Sequence, residues 1–251
     1  MAPKPPRSKR RRTSDSGDEA PPPLSTPPVD EKEKEKEIEN SNEKGNKAPL
    51  VVFAHGAGAP STSDWMVRWK EMIGEALEAV EVVTFDYPYI SGGKRKAPPK
   101  AEKLVEHHLS IVRDVIAKHP GHPLVLMGKS MGSRVSCMVA GSDEINVSAI
   151  VCLGYPLKGM NGAMRDETLV QLKVPTLFVQ GSKDGLCPLD KLETTQKKMD
   201  CKNELHVIEG GDHSFKIGKK FLESLGMTQD QAEKAAVKAI ADFVLKSIKE
   251  S

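Results

Sequence analysis

The sequence predicts an α/β protein with a doubly wound, mostly parallel sheet of about six strands. Two observations carry this prediction. Short runs rich in Val, Ile and Leu alternate with stretches in which apolar residues recur every three or four positions. Runs that are apolar at nearly every position are typical of strands buried on both faces of a parallel sheet. Their alternation with helical stretches supplies the strand–helix–strand connections that such a sheet needs.

Composition divides the chain of 251 residues into two parts. Residues 1–47 hold 11 basic and 10 acidic residues, eight prolines and none of the 11 aromatic residues. Because they offer little apolar surface to offset the entropy lost on ordering, we expect a disordered, low-complexity arm there. Residues 48–251 form the predicted globular domain. The domain keeps 26 of the 37 basic and 25 of the 35 acidic residues, so direct nucleic-acid binding by its near-neutral surface is not expected.

The chain is expected in the cytoplasm, with the nucleus as an alternative. No apolar run approaches the ~18 residues of a membrane helix, so no membrane association is expected. The N-terminus has charge but no apolar region of a secretory signal, and the four cysteines are scattered. The basic block from Lys4 to Arg12 is either a nuclear-import signal or part of a solubilising tail.

Six strands and five helices are predicted within the domain. The strands are the short apolar runs at Leu50–Ala54, Val82–Phe85, Leu124–Met127, Ala149–Leu153, Thr176–Val179 and Leu205–Ile208. The helices are the striped stretches at Trp65–Ala76, Leu104–Val115, Val135–Ala140, Leu189–Met199 and Val237–Ile248. Ser63 or Asp64 is placed to cap the first helix.

Glycines and polar residues follow five of the six predicted strands. They include His55–Pro60, Asp86–Tyr89, Gly128–Gly132, Gly181–Asp184 and Gly210–Ser214. The carboxyl ends of parallel strands meet at one edge of the sheet, where ligands of open α/β sheets bind. We therefore expect the functional site at this edge.

The segment Gly128-Lys129-Ser130-Met131-Gly132 matches G-x-S-x-G between a strand and a helix, which is typical of a nucleophile elbow. In such a turn the serine projects its hydroxyl into the site, and flanking glycines avoid clashes. A phosphate-binding loop of the form G-x-x-x-x-G-K-[ST] is excluded, because it needs glycine where this chain has Pro123.

Asp184 and His213 are the predicted partners of Ser130, in the chain order Ser, Asp, His. A serine hydroxyl needs a base, and His213 would accept its proton. Asp184 would hold the imidazole tautomer and stabilise the imidazolium. Asp212 is the competing acid, but its position beside His213 in the chain points it elsewhere.

The developing oxyanion needs two preorganised donors. One is predicted to be the backbone N–H of Met131, which follows the nucleophile. The other is expected from the loop after the first strand, at Ala57 or, one register on, at Gly58. His55 is expected to order that loop rather than to catalyse. No metal-ligand spacing appears, and neither a metal nor a cofactor is predicted.

The chain resembles the α/β-hydrolase superfamily through HGAG, GKSMG, GSKD and GGDHS in that order. Within it, HGAGAP, the DYPY strand end, GKSMGSR and the Arg165–Leu169 stretch resemble a small dienelactone-hydrolase-like group. That group includes the testis-expressed hydrolase-like proteins and a regulatory subunit of the non-specific-lethal histone acetyltransferase complex. The resemblance implies the fold, and it implies almost nothing about a substrate.

Only about 20 residues separate Leu153 from Val174, too few for a lid domain. An open, shallow site favours a small ester, thioester or lactone over a long lipid. The sequence thus predicts a serine hydrolase that works through an acyl-enzyme on a small ester-like substrate. The alternative is a hydrolase-like module that binds a protein partner and has little activity, and that is nuclear if the basic block is an import signal.

Overall fold

The computed structural model describes residues 47–93, 96–142, 144–159 and 161–251. The predicted arm, apart from Lys47, lies outside the described residues, and so does the basic block. The described residues form one six-stranded sheet in the order β2-β1-β3-β4-β5-β6, and every neighbouring pair is parallel. The strands are β1 (Leu50–Ala54), β2 (Glu81–Phe85), β3 (Leu124–Lys129), β4 (Ala149–Leu153), β5 (Thr176–Gly181) and β6 (Asn203–Ile208). The predicted fold class and all six strands are confirmed.

Seven α-helices are found within the described ranges. They are α1 (Asp64–Leu77), α2 (Val105–Lys118), α3 (Met131–Ala140), α4 (Glu167–Gln171), α5 (Leu189–Gln196), α6 (Lys219–Leu225) and α7 (Gln229–Lys249). Five of them match predicted stretches, whereas α4 and α6 were not predicted. Helix α4 has only five residues, and α6 buries none of its side chains. Neither therefore produces the apolar stripe by which a helix is recognised in sequence.

The sheet divides the core into two layers. Alternate residues of β1 face opposite sides, with Val52 packed in one apolar cluster and Val51 in the other. Helices α2, α3 and α5 cover the first side, and α1 and α7 cover the second. This two-sided burial explains why the central strands β1, β3, β4 and β5 are apolar at most positions, whereas the edge strands β2 and β6 are only partly buried.

The cap of α1 is only partly as predicted. Ser63 does occupy the N-cap position, but its side chain makes no capping hydrogen bond. The start of α7 is better secured, because Thr228 and Gln231 form a reciprocal capping box.

The connection from β4 to β5 contains only α4 and a short antiparallel contact between Lys158 and Met164. Its described part holds no lid domain, so the carboxyl edge of the sheet stays open here. No helix in the described ranges is long and apolar enough to cross a membrane.

Candidate active site

The turn after β3 is packed tightly against neighbouring backbone. Ser130 directly follows β3, has φ 52° and ψ −113°, and occupies the N-cap position of α3. A Cβ on Gly128 would lie 2.2 Å from the Ser133 nitrogen, and one on Gly132 would lie 2.5 Å from the Ala54 carbonyl oxygen. Only glycine fits at these two positions, because backbone atoms approach them and cannot move aside. The G-x-S-x-G pattern therefore has a steric cause.

Ser130 lies where the strand order reverses. β1 and β3 are neighbours, while β2 lies beyond β1 on the other side. The loops after β1 and β3 leave the sheet side by side, and such a switch point opens a crevice at the carboxyl edge. A Cβ on Gly56, in the loop after β1, would lie 3.5 Å from the Ser130 Cβ. The sheet topology thus brings the β1 loop against the serine.

His213 and Asp184 come together with Ser130 at this edge. The His213 Nε2 lies 2.8 Å from Ser130 Oγ, and its Nδ1 lies 2.7 Å from Asp184 Oδ2. Both distances are normal hydrogen bonds. With Nδ1–H donating to the carboxylate, Nε2 carries the lone pair that faces the Ser130 hydroxyl. The three side chains form one continuous hydrogen-bonded row.

Asp184 is buried, and its hydrogen bonds favour the charged form. Burial alone would raise the pKa of this carboxyl, but hydrogen bonds and the charge of His213, together with the Leu186 amide and the Gln180 amide, hold it below its usual value. Leu186 N–H donates to Oδ1 at 2.8 Å. Asp212, the competing acid, instead accepts hydrogen bonds from the Ser214 and Lys216 backbone. It closes a turn and does not contact the imidazole nitrogen.

The loop after β1 is ordered by His55. Its Nδ1 donates to the Gly56 carbonyl at 2.6 Å, and its Nε2 accepts from the Tyr87 N–H at 3.0 Å. Burial lowers the pKa of this imidazole, which suits a neutral ring with one donor and one acceptor.

The predicted oxyanion donors lie around Ser130. Met131 is the first residue of α3, so its N–H has no acceptor within the helix. Ala57 lines the cavities on both sides of Ser130, and Gly58 lines one of them.

Lys129 is the residue that the sequence analysis missed. It is buried, its ammonium donates to the His213 carbonyl, and it lies over the rings of Trp65 and Phe215 at 5.5 and 5.3 Å. Burial lowers the pKa of this lysine to about 8, although the charges of Asp184 and Asp212 oppose the shift. A lysine at the end of an otherwise apolar central strand was the available signal.

Two cavities open on either side of Ser130 and share Ala57. The first, about 450 Å³, has Trp65 and Met66 on its wall together with Lys129 and His213, and we call it the apolar pocket. The second, about 590 Å³, has four cationic side chains on its wall, and we call it the cationic pocket. Those side chains are Lys100, Arg134, Lys158 and Arg165.

His108 and the four cysteines have structural surroundings. His108 is fully buried, its Nδ1 lies 3.2 Å from the Tyr87 hydroxyl, and burial, with a smaller effect of His107, lowers its pKa to about 3. The four cysteines are buried and form no disulfide. In the described ranges, no group of three His, Cys, Asp or Glu side chains could hold a metal ion.

Comparison with known proteins identifies the family of this chain. A family model described as alpha/beta hydrolase domain matches residues 47–245. A monoglyceride lipase homolog of monkeypox virus is 27% identical over 158 residues, which cover 60% of this chain and 52% of the viral protein. The chain thus spans about half the length of that relative.

Solved structures share the fold. Est1E from Butyrivibrio proteoclasticus, bound to ferulic acid, superposes with a TM-score of 0.59 at 18% identity, covering 80% of this chain and 90% of its own. An alpha-beta serine hydrolase homologue from Coxiella burnetii gives 0.58 at 18% identity, covering 77% and 85%. At these identities the likeness is one of architecture.

Proposed function

Because the chain belongs to the alpha/beta hydrolase domain family, we propose that it is a serine hydrolase with Ser130 as nucleophile. It cleaves a small ester, thioester or lactone through an acyl-enzyme. The observation that carries the proposal is the unbroken row of hydrogen bonds from Ser130 through His213 to Asp184. The finer likeness to the dienelactone-hydrolase-like group stays a prediction.

The chemistry begins when His213 Nε2 accepts the Ser130 proton as Oγ attacks the substrate carbonyl carbon. The carbonyl electron pair moves to oxygen, and the resulting oxyanion accepts hydrogen bonds from the Met131 N–H and from Ala57 or Gly58. Asp184 stabilises the imidazolium that has formed. As the tetrahedral intermediate collapses, the imidazolium gives its proton to the departing alcohol or thiol.

Deacylation repeats the sequence with water. His213 accepts a proton from water, whose oxygen attacks the acyl carbon of the Ser130 ester. Collapse of this second intermediate returns the proton to Ser130 Oγ and releases a carboxylic acid. No group beyond the three side chains, the backbone donors and water is required.

The size of the two pockets supports a small substrate. Both pockets are open to solvent beside Ser130 and have volumes of about 450 and 590 Å³, which suit a molecule of ordinary ligand size. The short β4–β5 connection supports the same conclusion. A long acyl chain would remain largely in water.

Labelling with a fluorophosphonate probe tests the proposal directly, because the probe reacts with an activated serine. We expect stoichiometric labelling of folded wild-type protein at Ser130, much slower labelling of His213→Ala and none of Ser130→Ala. Ser63 and Ser214 also line the apolar pocket but have no hydrogen bond to a histidine among the described residues, so they should remain unlabelled. A folded wild-type protein that is not labelled would favour the binding module over the enzyme.

A further inference from the structure

The cationic pocket carries an excess of positive charge beside the serine. Its described wall holds four cationic side chains and one carboxylate, that of Glu102. Met131, Leu186 and three prolines supply apolar surface between them. A cleft lined by one sign of charge concentrates ligands of the opposite sign.

Hydrogen bonds of its backbone N–H and carbonyl hold Arg165 in the wall of the cationic pocket. Its N–H donates to the Leu157 carbonyl at 2.8 Å, and its carbonyl accepts from the buried Tyr155 hydroxyl at 2.9 Å. The guanidinium makes one hydrogen bond, at 3.3 Å, to the Pro156 carbonyl. Among the described residues, Glu102 is the carboxylate whose charge acts on this guanidinium, but its ion pair, at 3.3 Å, is with Arg134. Most of the five donors of Arg165 therefore remain available.

Arg134 lies on α3, one helical turn after Ser130, and its side chain is only 15% exposed. One of its nitrogens is 3.3 Å from a Glu102 oxygen, while its buried Nε has no acceptor among the described residues. Burial and, next, the positive charge of Arg134 lower the pKa of Arg165, while Tyr155 and Glu102 oppose part of this shift. Glu102 offsets part of the repulsion between the two arginines in this partly buried wall, and a further anion beside them would offset more.

We propose that the cationic pocket binds an oxyanion group, a carboxylate or a phosphate, carried on one half of the substrate whose carbonyl Ser130 attacks. The other half lies in the apolar pocket, against Trp65 and Met66. The guanidinium of Arg165 is the main contact, since its planar donors match the geometry of both anions. This inference rests on the proposed function and names its substrate class: an ester or thioester that joins an apolar half to an anionic half.

The test separates binding from turnover by using the Ser130→Ala protein for binding. Two probes are compared by calorimetry: the butanoyl thioester of 3-mercaptopropanoate and that of 3-mercaptopropanamide, which differ only in charge. We expect the anionic probe to bind at least about tenfold tighter, and added salt should weaken this preference. Equal affinity for the two probes would overturn the proposal.

Three further substitutions, each made in the Ser130→Ala protein, test which residue causes the preference for the anionic probe. Arg165→Gln should remove most of it. Glu102→Gln should increase it several-fold, because the competing carboxylate is gone; a folding defect cannot produce such a gain. Arg113→Gln removes an exposed arginine that pairs with Glu106 and Glu144 away from the site, and it should leave the preference unchanged. A preference that survives Arg165→Gln or disappears in Arg113→Gln contradicts the assignment.

The butanoyl thioester of 2-mercaptoethyl phosphate distinguishes the two anions. Tighter binding than the carboxylate probe assigns the pocket to phosphate, and weaker binding assigns it to carboxylate. Turnover by wild type, followed as released thiol, tests the proposed function separately. Hydrolysis of both thioesters without preference supports the enzyme and overturns the anion pocket. Selective binding without hydrolysis or fluorophosphonate labelling overturns the enzyme and supports the pocket.

Discussion

The site has two halves that are held in different ways. The half around Ser130 is fixed by backbone contacts, since Gly128 and Gly132 leave no room for a Cβ. The half around His213 is fixed by side chains, through hydrogen bonds from Lys129 to its carbonyl and from its ring to Asp184. Gly128 and Gly132 in the first half therefore tolerate almost no side chain, whereas the side chains of the second half can be altered while the fold is kept.

The largest expected effect is on turnover, and it comes from removing the reacting side chain of either half. Ser130→Ala and His213→Ala should each lower turnover of a short activated ester by roughly 10³-fold or more, because the groups act as a unit. Asp184→Asn should cost somewhat less. The double variant Ser130→Ala/His213→Ala should be little worse than either single one in steady-state assays. Near-normal turnover after Ser130→Ala would mean that another group does the chemistry.

The second prediction concerns the stability of the backbone-held half. Gly128→Ala should lower the free energy of unfolding by about 3 kcal/mol or more, because its Cβ would lie 2.2 Å from a backbone nitrogen. Gly218→Ala is the matched control: a Cβ there meets nothing within 4 Å, and its φ is −66°. Urea unfolding measures both. Equal stability of the two variants would show that the turn can relax.

The third prediction concerns the side-chain-held half and its pH dependence. In the unfolded chain Lys129 keeps its proton up to about pH 10.5, but in the fold only up to about 8. Between these values the unfolded state binds more protons, so this residue makes stability rise with pH; below about 8 its contribution is constant. The advantage of wild type over Lys129→Met should therefore grow by on the order of 3 kcal/mol from pH 8 to 10.5.

Urea unfolding of both proteins at several pH values between 7 and 10.5 checks this growth, since all other titrating groups are shared and cancel. Parallel stability profiles would show that Lys129 keeps an ordinary pKa. Turnover by Lys129→Met should fall by less than turnover by His213→Ala, because the lysine positions the histidine and does not contact the proton in transfer.

The smallest effect is expected outside both halves. Deleting residues 1–46 leaves the 47–245 match to the family intact and removes a segment with little apolar surface to dock. Thermal midpoint and esterase rate should stay nearly unchanged. A large fall in the midpoint would show that the segment packs on the domain.

The sequence predicted one half of the site more completely than the other. The motif around Ser130 could be read because steric need fixes its residue types in a short stretch of chain. Asp184 and His213 could be named because each follows a strand of a parallel sheet. Lys129 was passed over because its partner, the His213 carbonyl, is 84 positions away. Contacts between distant loops depend on the folded path and leave no local pattern.

In the fold, as in the site, features with a local sequence pattern were predicted and those without one were missed. The four central strands were predicted because burial on both faces leaves continuous apolar runs, and the partly buried edge strands β2 and β6 were predicted from the shorter apolar runs at their carboxyl ends. Helix α6 was missed because it packs only through partly buried Phe221 and Leu222. The presence of both Arg134 and Arg165 in the wall of the cationic pocket was also not predicted, because they lie on α3 and in the β4–β5 connection.

The positive φ of Ser130 also indicates which substitution would be favoured at this position if the activity were no longer needed. A side chain at φ 52° costs on the order of 1–3 kcal/mol, and glycine adopts the same conformation without that cost. A descendant that had no use for the hydroxyl would gain stability from the single replacement Ser130→Gly. Among descendants of this chain, glycine at position 130 would therefore be the mark of a lost activity, and serine would be kept only where its chemistry repaid a less stable fold.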